Sequence, residues 1–495
     1  MDFIFEPDLQ DSRVVRALEG WPSAPARGCW RRSPATLHLK NSGTEKGSSN
    51  GLSTAPETRL TAGARPRVLL LAEAANPGWT SVALEGWSHS RALARHADVH
   101  LVTNERNRPN IVGAGLVEGR DFTTIPHAPM ARPLWGIVRH LRGGENHAWT
   151  LMTAYESLLY YFFEQRTWRR FGDALHAGRF DLVHRLTPLT PTAQSPIARR
   201  CRQAGVPFVM GPLNGGLPWP AEFSAEIGRQ RDWLTHVRGL FRLLPSYRAS
   251  RRNAAAIIAG SRATFDQIPD WARSKTVYIP ENGVDPDRFN RPTGRTPARP
   301  LRVAFVGRLV PYKGADMLLE AAAPLIRDGR VAVDILGEGP ELERLRALAR
   351  DLGEPGVRFA GFVPHTALQQ RLSESDVLGF PSVREFGGAV VLEAMALGLV
   401  PVVVGYGGPG EHVSPGTGIA ISMASRPKLV LQLRGALESL TTDPDRVWAM
   451  GQRARRRVLE LYTWDAKARQ VLEVWRFVLG LREKPDFGMP FLDPS

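Results

Sequence analysis

The chain has 495 residues, too many for one compact core and enough for two large domains with tails. Its 43% hydrophobic and 23% charged content excludes fibrous and wholly disordered proteins. The formal net charge of +15 invites a nucleic-acid partner, yet the arginines are scattered (Arg344, Arg346, Arg350, Arg453, Arg455) without a zinc-finger, basic-zipper or RNA-recognition signature.

A basic surface that attracts phosphates, nucleotides or lipid headgroups is therefore expected, with no nucleic acid. Cys29 and Cys201 are the only cysteines, which excludes a disulfide framework and points to a reducing cytoplasm. The opening Met1-Asp2-Phe3-Ile4-Phe5-Glu6 lacks a secretory pattern. The apolar stretch from Ala389 to Val404 is interrupted by Glu393 and Pro401, and reads as a buried helix followed by a buried strand rather than a membrane span.

In chain order, residues 1–64 are rich in Ser, Gly, Thr, Pro and charge, a composition that predicts a disordered extension. Order is expected from Arg67-Val68-Leu69-Leu70-Leu71, an apolar run typical of a strand buried on both faces. A loop at Asn76-Pro77-Gly78, a helix through Trp87 and Leu93, and a strand at Val99–Thr103 complete a βαβ opening. Trp149 to Phe171 mixes aromatics with arginine and has two readings, a helix packed in the first domain or a peripheral membrane contact. Further strands are expected at Leu182–His184, Pro207–Met210 and Ala256–Ala259. Residues 291–300 read as a linker. A second series follows at Leu301–Gly307, Val331–Gly337, Val377–Phe380 and Val400–Val404, then a last helix from about Asp465 to Leu481.

Three constellations carry chemistry. In Gly307-Arg308-Leu309-Val310-Pro311-Tyr312-Lys313, a strand-ending glycine permits close backbone approach and two cations suit a diphosphate. In Glu385-Phe386-Gly387-Gly388-Ala389-Val390-Val391-Leu392-Glu393, two carboxylates flank a predicted helix start near Gly388, whose free N–H groups and dipole favour an anion. Glu393 stands among apolar neighbours, where an unpaired carboxylate would be costly. Gly405 to Gly410 and Gly416 to Gly418 are glycine-dense turns, read either as a ligand pressed on backbone or as a structural hairpin.

Together these residues resemble the retaining glycosyltransferases of family GT4, over roughly residues 66–483. The resemblance implies an α/β protein of GT-B fold: two Rossmann-like parallel-sheet domains facing across a cleft, with a C-terminal helix crossing back. It divides the ordered chain into an acceptor-side domain (65–290), a nucleotide-sugar-binding domain (300–463) and a returning helix (464–483). Asn282-Gly283-Val284-Asp285 looks like the interdomain junction. By similarity Arg308 and Lys313 bind the donor diphosphate, Glu393 the ribose, Glu385 with Phe386, Gly387 and Gly388 the transferred sugar, and Gly337 lies near the base. His184 matches the first histidine of the family's His-x-His pair and is a catalytic candidate, although Leu186 replaces the second. Asn214 and Gly78 are candidate substrate contacts in two first-domain loops. No cofactor and no metal are implied; Asp285-Pro286-Asp287 and Asp443-Pro444-Asp445 lack the context of a metal-binding Asp-x-Asp motif. The expected activity is metal-independent transfer, with retention, from a nucleotide-diphosphate sugar to a saccharide or lipid-linked acceptor. The expected place is the cytoplasm or the inner face of its membrane. A non-catalytic nucleotide-sugar-binding subunit on the same fold is the alternative.

Overall fold

Apolar runs bounded by polar residues form the strands of two parallel sheets, in a computed structural model that describes residues 64–126, 148–223, 245–290, 292, 300–352 and 356–491. The extension expected over 1–64 lies outside them except for Ala64, and the linker over 291–300 except for Pro292 and Pro300.

The first sheet contains β1 (Arg67–Ala72), β2 (Asp98–Asn104), β3 (Phe122–Ile125), β4 (Leu182–Thr187), β5 (Phe208–Leu213), β6 (Ala256–Ala259) and β7 (Thr276–Tyr278), in the order β3-β2-β1-β4-β5-β6-β7. Val68 to Leu71 are wholly buried, with Val68 opposite Val99 on one side and Leu182 on the other. The second sheet contains β8 (Leu301–Val306), β9 (Val331–Leu336), β10 (Val357–Gly361), β11 (Val377–Phe380), β12 (Val400–Val404) and β13 (Ile419–Ile421), in the order β10-β9-β8-β11-β12-β13. Both sheets belong to one compact unit beginning at Ala64. In each, strand order reverses beside the first strand, so the loops leaving β1 and β4, and those leaving β8 and β11, splay apart and open a crevice.

The strands absent from the sequence reading are β3, β7, β10 and β13. β3 and β10 are short and their apolar residues are interrupted by Thr or Arg, and β7 and β13 span only three residues each.

Helix α1 (Val82–His96) follows β1, and α2 (Ala148–His176) precedes β4. Along α2, Tyr160 and Phe163 are buried against the sheet, whereas Leu158 and Tyr161 are 40% and 44% exposed. No helix among the described residues is long and apolar enough to cross a membrane. Helix α3 (Ile197–Gln203) packs beside α2, and α4 (Pro245–Asn253) packs against α3. Beyond the second sheet's α5 (His365–Leu372), α6 (Ala389–Ala396), α7 (Gly408–His412) and α8 (Pro444–Leu461), helix α9 (Trp464–Val478) crosses back. Its entry is fixed by backbone bonds: Val284 donates to Tyr462 O at 2.8 Å, and Trp464 to Val284 O at 3.1 Å. A Cβ on Gly283 would lie 2.7 Å from the Trp464 ring, so glycine here lets the crossover pack. Asp465 then meets His96 of α1 at 2.8 Å.

The first aspartate of each Asp-Pro-Asp run serves backbone. Asp285 accepts from Asp287 N at 3.0 Å, and Asp443 caps α8 by accepting from Arg446 N at 2.9 Å. Among the described residues no group of three or more His, Cys, Asp or Glu is placed to hold a metal.

Candidate functional site

The site is built on the loops after β8 and β11. Gly307 ends β8, and Arg308 beyond it is exposed, with no side-chain hydrogen bond or ion pair among the described residues. A 3₁₀ turn at Pro311–Lys313 brings Lys313 inward, closed by Gly314 in the left-handed conformation (φ 76°). The Lys313 ammonium forms an ion pair with the Glu385 carboxylate, both side chains shielded at 11% and 15% exposure, and sits 5.4 Å from the centre of the Phe380 ring. Helix α6 starts where expected: Gly388 is its N-cap, also left-handed at φ 72°.

Glu393, in the middle of α6, has the partner that its apolar surroundings demand. His365, at the start of α5, meets its Oε1 at 2.6 Å. Gly337 ends β9, and a Cβ there would stand 1.9 Å from Gly307 O, so this glycine serves the packing of one loop on the next. The glycine-dense run after β12 is neither a hairpin nor free for a ligand along its whole length. It forms α7, and Cβ atoms on Gly407 and Gly408 would lie 2.2 Å from Glu385 O and 2.4 Å from Gly387 O. His412 of α7 donates to Gly387 O at 2.6 Å, and burial holds its imidazole down to about 3, hence neutral. The backbone of the paired-carboxylate motif is thus clamped from behind.

The first sheet closes on this loop. A Cβ on Gly387 would lie 1.9 Å from Asn282 Nδ2 and 2.4 Å from Glu281 Oε1, both in the loop after β7. Asn214, at the end of β5, is buried beside Glu281 and accepts from Ser261 Oγ at 2.9 Å. Trp219 packs edge-on against Tyr312, with ring centres 6.1 Å apart, and lies 4.8 Å from the Arg384 guanidinium. Tyr406 OH donates to Pro218 O at 2.8 Å. On the far side Glu411 accepts from Arg262 N and, at 2.8 Å, from Tyr278 OH.

Electrostatics shows that these groups share one space. Burial, reinforced by the Glu393 carboxylate, pushes the Glu85 carboxyl of α1 up to about 7. Burial and then Glu85 and Glu385 also raise Glu281, against the Asn214 amide. Four carboxyl groups from three distant stretches of chain therefore repel one another, and one of them, Glu385, is paired with the Lys313 ammonium.

Two further sequence candidates have partners within the protein. His184 is fully buried within β4; its Nε2 donates to Gly211 O at 2.7 Å, and its Nδ1 accepts from Trp475 Nε1 of α9 at 3.2 Å. Both ring nitrogens have partners within the protein, and through them His184 joins β4 to β5 and to the returning helix. Gly78 stands in the exposed loop after β1, where its N–H donates to Asn76 Oδ1 at 2.9 Å.

The sequence model of the family Glycosyl transferases group 1 matches residues 287–457, the segment that supplies Lys313, Glu385 and Glu393. A GDP-mannose-dependent alpha-(1-6)-phosphatidylinositol monomannoside mannosyltransferase of Mycobacterium tuberculosis is 33% identical over 307 residues, covering 57% of this chain and 72% of the relative. The chain belongs to the group 1 glycosyl transferases. A GDP-mannose-dependent monoacylated alpha-(1-6)-phosphatidylinositol monomannoside mannosyltransferase of Corynebacterium glutamicum is 29% identical, over 56% of this transferase and 72% of the relative. Among solved structures, sucrose-phosphate synthase from Thermosynechococcus elongatus superposes with a TM-score of 0.55 at 18% identity, over 84% of this transferase and all of that chain. Anabaena HepE in complex with UDP gives 0.53 at 17% identity, over 83% and 99%. These likenesses show the fold, which is GT-B. The residues that this transferase adds to those read from its sequence are Glu85, Glu281, Asn282, Trp219 and His365. Only Asn282 stood inside a recognised motif.

Proposed function

We propose that this group 1 glycosyl transferase moves a hexosyl group from a nucleotide-diphosphate sugar to a saccharide or lipid-linked acceptor, with retention at the anomeric carbon and without a metal. The observation that carries the reading is the meeting of Lys313, Glu385 and the Gly388 start of α6 at one crevice between the sheets. Arg308 and Lys313 would neutralise the departing diphosphate, helped by the free N–H groups at the head of α6. Glu393, oriented by His365, would grip the ribose, and Glu385 with the backbone from Phe386 to Gly388 would hold the transferred sugar. The bond from the anomeric carbon to the diphosphate breaks, a bond to the acceptor oxygen forms on the same face, and the acceptor proton passes to the leaving diphosphate. The cross-sheet contacts of Trp219 and Tyr406 would keep water from this reaction.

The relatives' names make GDP-mannose the first donor to try and a phosphoinositide-linked mannoside the first acceptor. UDP-, GDP- and ADP-sugars, with EDTA present, are tested for thermal stabilisation and turnover. Stabilisation by one nucleotide that vanishes in Lys313→Ala supports the reading; an equal response in both proteins defeats it.

A peripheral seat on the inner face of a membrane fits one further feature. Between α3 and α4 lies a groove of about 570 Å³ lined by Arg199, Arg202, Arg248 and Arg252, beside the helix that exposes Leu158 and Tyr161. Salt-sensitive co-sedimentation with anionic vesicles, absent with neutral ones, is the expected result.

A further inference from the structure

Glu281 follows β7 and closes on the second sheet's loop, where its charge favours the ionised form of the buried Lys467 without a hydrogen bond between them. The residue is only 8% exposed, and its Oε2 is buried without a hydrogen bond. Its Oε1 rests on the Gly387 backbone, 2.4 Å from where a Cβ would stand. The Asn214 amide approaches it from β5 and favours its ionised form, but that nitrogen also completes no hydrogen bond of good geometry. The charges around it are mostly of its own sign, Glu85 and Glu385. The buried Lys467 ammonium, 5.0 Å from the centre of the Tyr462 ring and 4.7 Å from that of Phe491, is within electrostatic reach but makes no hydrogen bond.

A carboxylate desolvated without partners weakens a fold, and a glutamine of the same shape would fill this place at less cost. What the arrangement does offer is an acceptor, Glu281 Oε2, next to an unused donor, Asn214 Nδ2. A hydroxyl group satisfies both at once, because it donates one hydrogen bond and accepts another. The position against Gly387 selects which hydroxyl-bearing group is meant.

We propose that Glu281 and Asn214 form a sugar-binding pair that holds a hydroxyl of the transferred hexosyl unit, from the first sheet's side of the crevice and across from Glu385. The proposal rests on the glycosyl-transfer reading above and adds to it a specificity contact from the first domain. It also makes Glu281 a residue kept for binding at the expense of stability.

The test compares full-length wild type with Glu281→Gln and Glu281→Ala, using UDP, GDP and ADP and their glucose and mannose derivatives. In Glu281→Gln the stabilisation by the free nucleoside diphosphate should stay within twofold of wild type in apparent affinity. The melting temperature without ligand should hold or rise. Donor kcat/KM, read both as hydrolysis without acceptor and as transfer, should fall at least tenfold. Glu281→Ala should repeat the kinetic loss, and if it does not fold, the isosteric glutamine decides alone. Unchanged donor kinetics in Glu281→Gln would overturn the proposal. So would a fall of several degrees in melting temperature, which would make Glu281 a structural counter-ion of Lys467. A rise confined to the acceptor KM would also overturn it, since the carboxylate would then belong to the acceptor. If no nucleotide stabilises even wild type, the glycosyl-transfer reading fails first and is seen to fail separately.

Discussion

Lys313 and Glu385, which stand 72 positions apart in the chain, form an ion pair that ties the loop after β8 to the loop after β11 inside the crevice. Because both side chains are largely shielded, removing one leaves the other desolvated and uncompensated, at a cost of about 3 kcal/mol. Lys313→Ala should therefore melt well below wild type, while Lys313→Ala with Glu385→Ala recovers much of the loss. Neither protein should transfer sugar. A double variant as unstable as the two single losses added together would show that the pair contributes no coupling.

Two glycines separate packing from binding. At Gly337 an added methyl group meets the carbonyl oxygen of Gly307, and φ is 149°, so neither backbone can yield. Gly337→Ala should cost about 3 kcal/mol, as severe overpacking does, and lower the melting temperature. At Gly387 the added methyl group meets the ends of the Asn282 and Glu281 side chains, which can swing aside. Gly387→Ala should cost about 1 kcal/mol yet abolish most transfer, because the displaced side chains move into the crevice. Thermal melts and transfer rates on the two variants check the contrast; equal losses in stability would refute it.

The inner strands were legible because burial on both faces writes an unbroken apolar run, as in Val68–Leu71 and Val400–Val404. The edge strands write no run of that length, since Arg358 interrupts β10 and β13 has only three residues, and both are ordered by their neighbours. The same division holds in the site. Lys313, Glu385 and Glu393 belong to short continuous motifs, and the apolar neighbours of Glu393 already called for a partner, but no spacing marked His365 as that partner. Glu281 was passed over although it directly precedes Asn282, because its burial is created by the distant residues Asn214 and Gly387. The surroundings of His184 were hidden for the complementary reason: its place in β4 suggests a cleft, and the residue that donates to its Nδ1 lies 291 positions further along.

Trp219 is the residue most exposed to test as a latch. Its ring lies against Tyr312 and over Arg384, the residues next to Lys313 and Glu385, while Pro218 beside it accepts from Tyr406. An edge-on aromatic pair and a cation–π contact are together worth about 2 kcal/mol, or roughly thirtyfold in the closed population. Trp219→Ala should lower transfer kcat/KM by roughly that factor and raise the share of donor lost to hydrolysis. Trp219→Phe should keep most of the activity. A Trp219→Ala protein with wild-type partition between transfer and hydrolysis would remove the latch.

The pH dependence of stability decides what His184 does. Burial lowers its imidazole to about 4, so that it stays neutral in the fold at pH 5, whereas an unfolded chain, with the ordinary value near 6.5, takes up a proton there. The folded state then binds fewer protons than the unfolded one. The stability due to a neutral His184 is thus complete above pH 6.5 and is lost as pH falls toward 4, with about 2 kcal/mol gone between pH 7 and pH 5. His184→Gln has no such titration. Its deficit relative to wild type, measured by urea unfolding, should be greatest at pH 7 and should shrink by about 2 kcal/mol at pH 5. A deficit that stays constant over this range would mean that the folded protein protonates His184 as readily as the unfolded chain does. The ring would then have to reach solvent, and a role in the crevice would be open to it again.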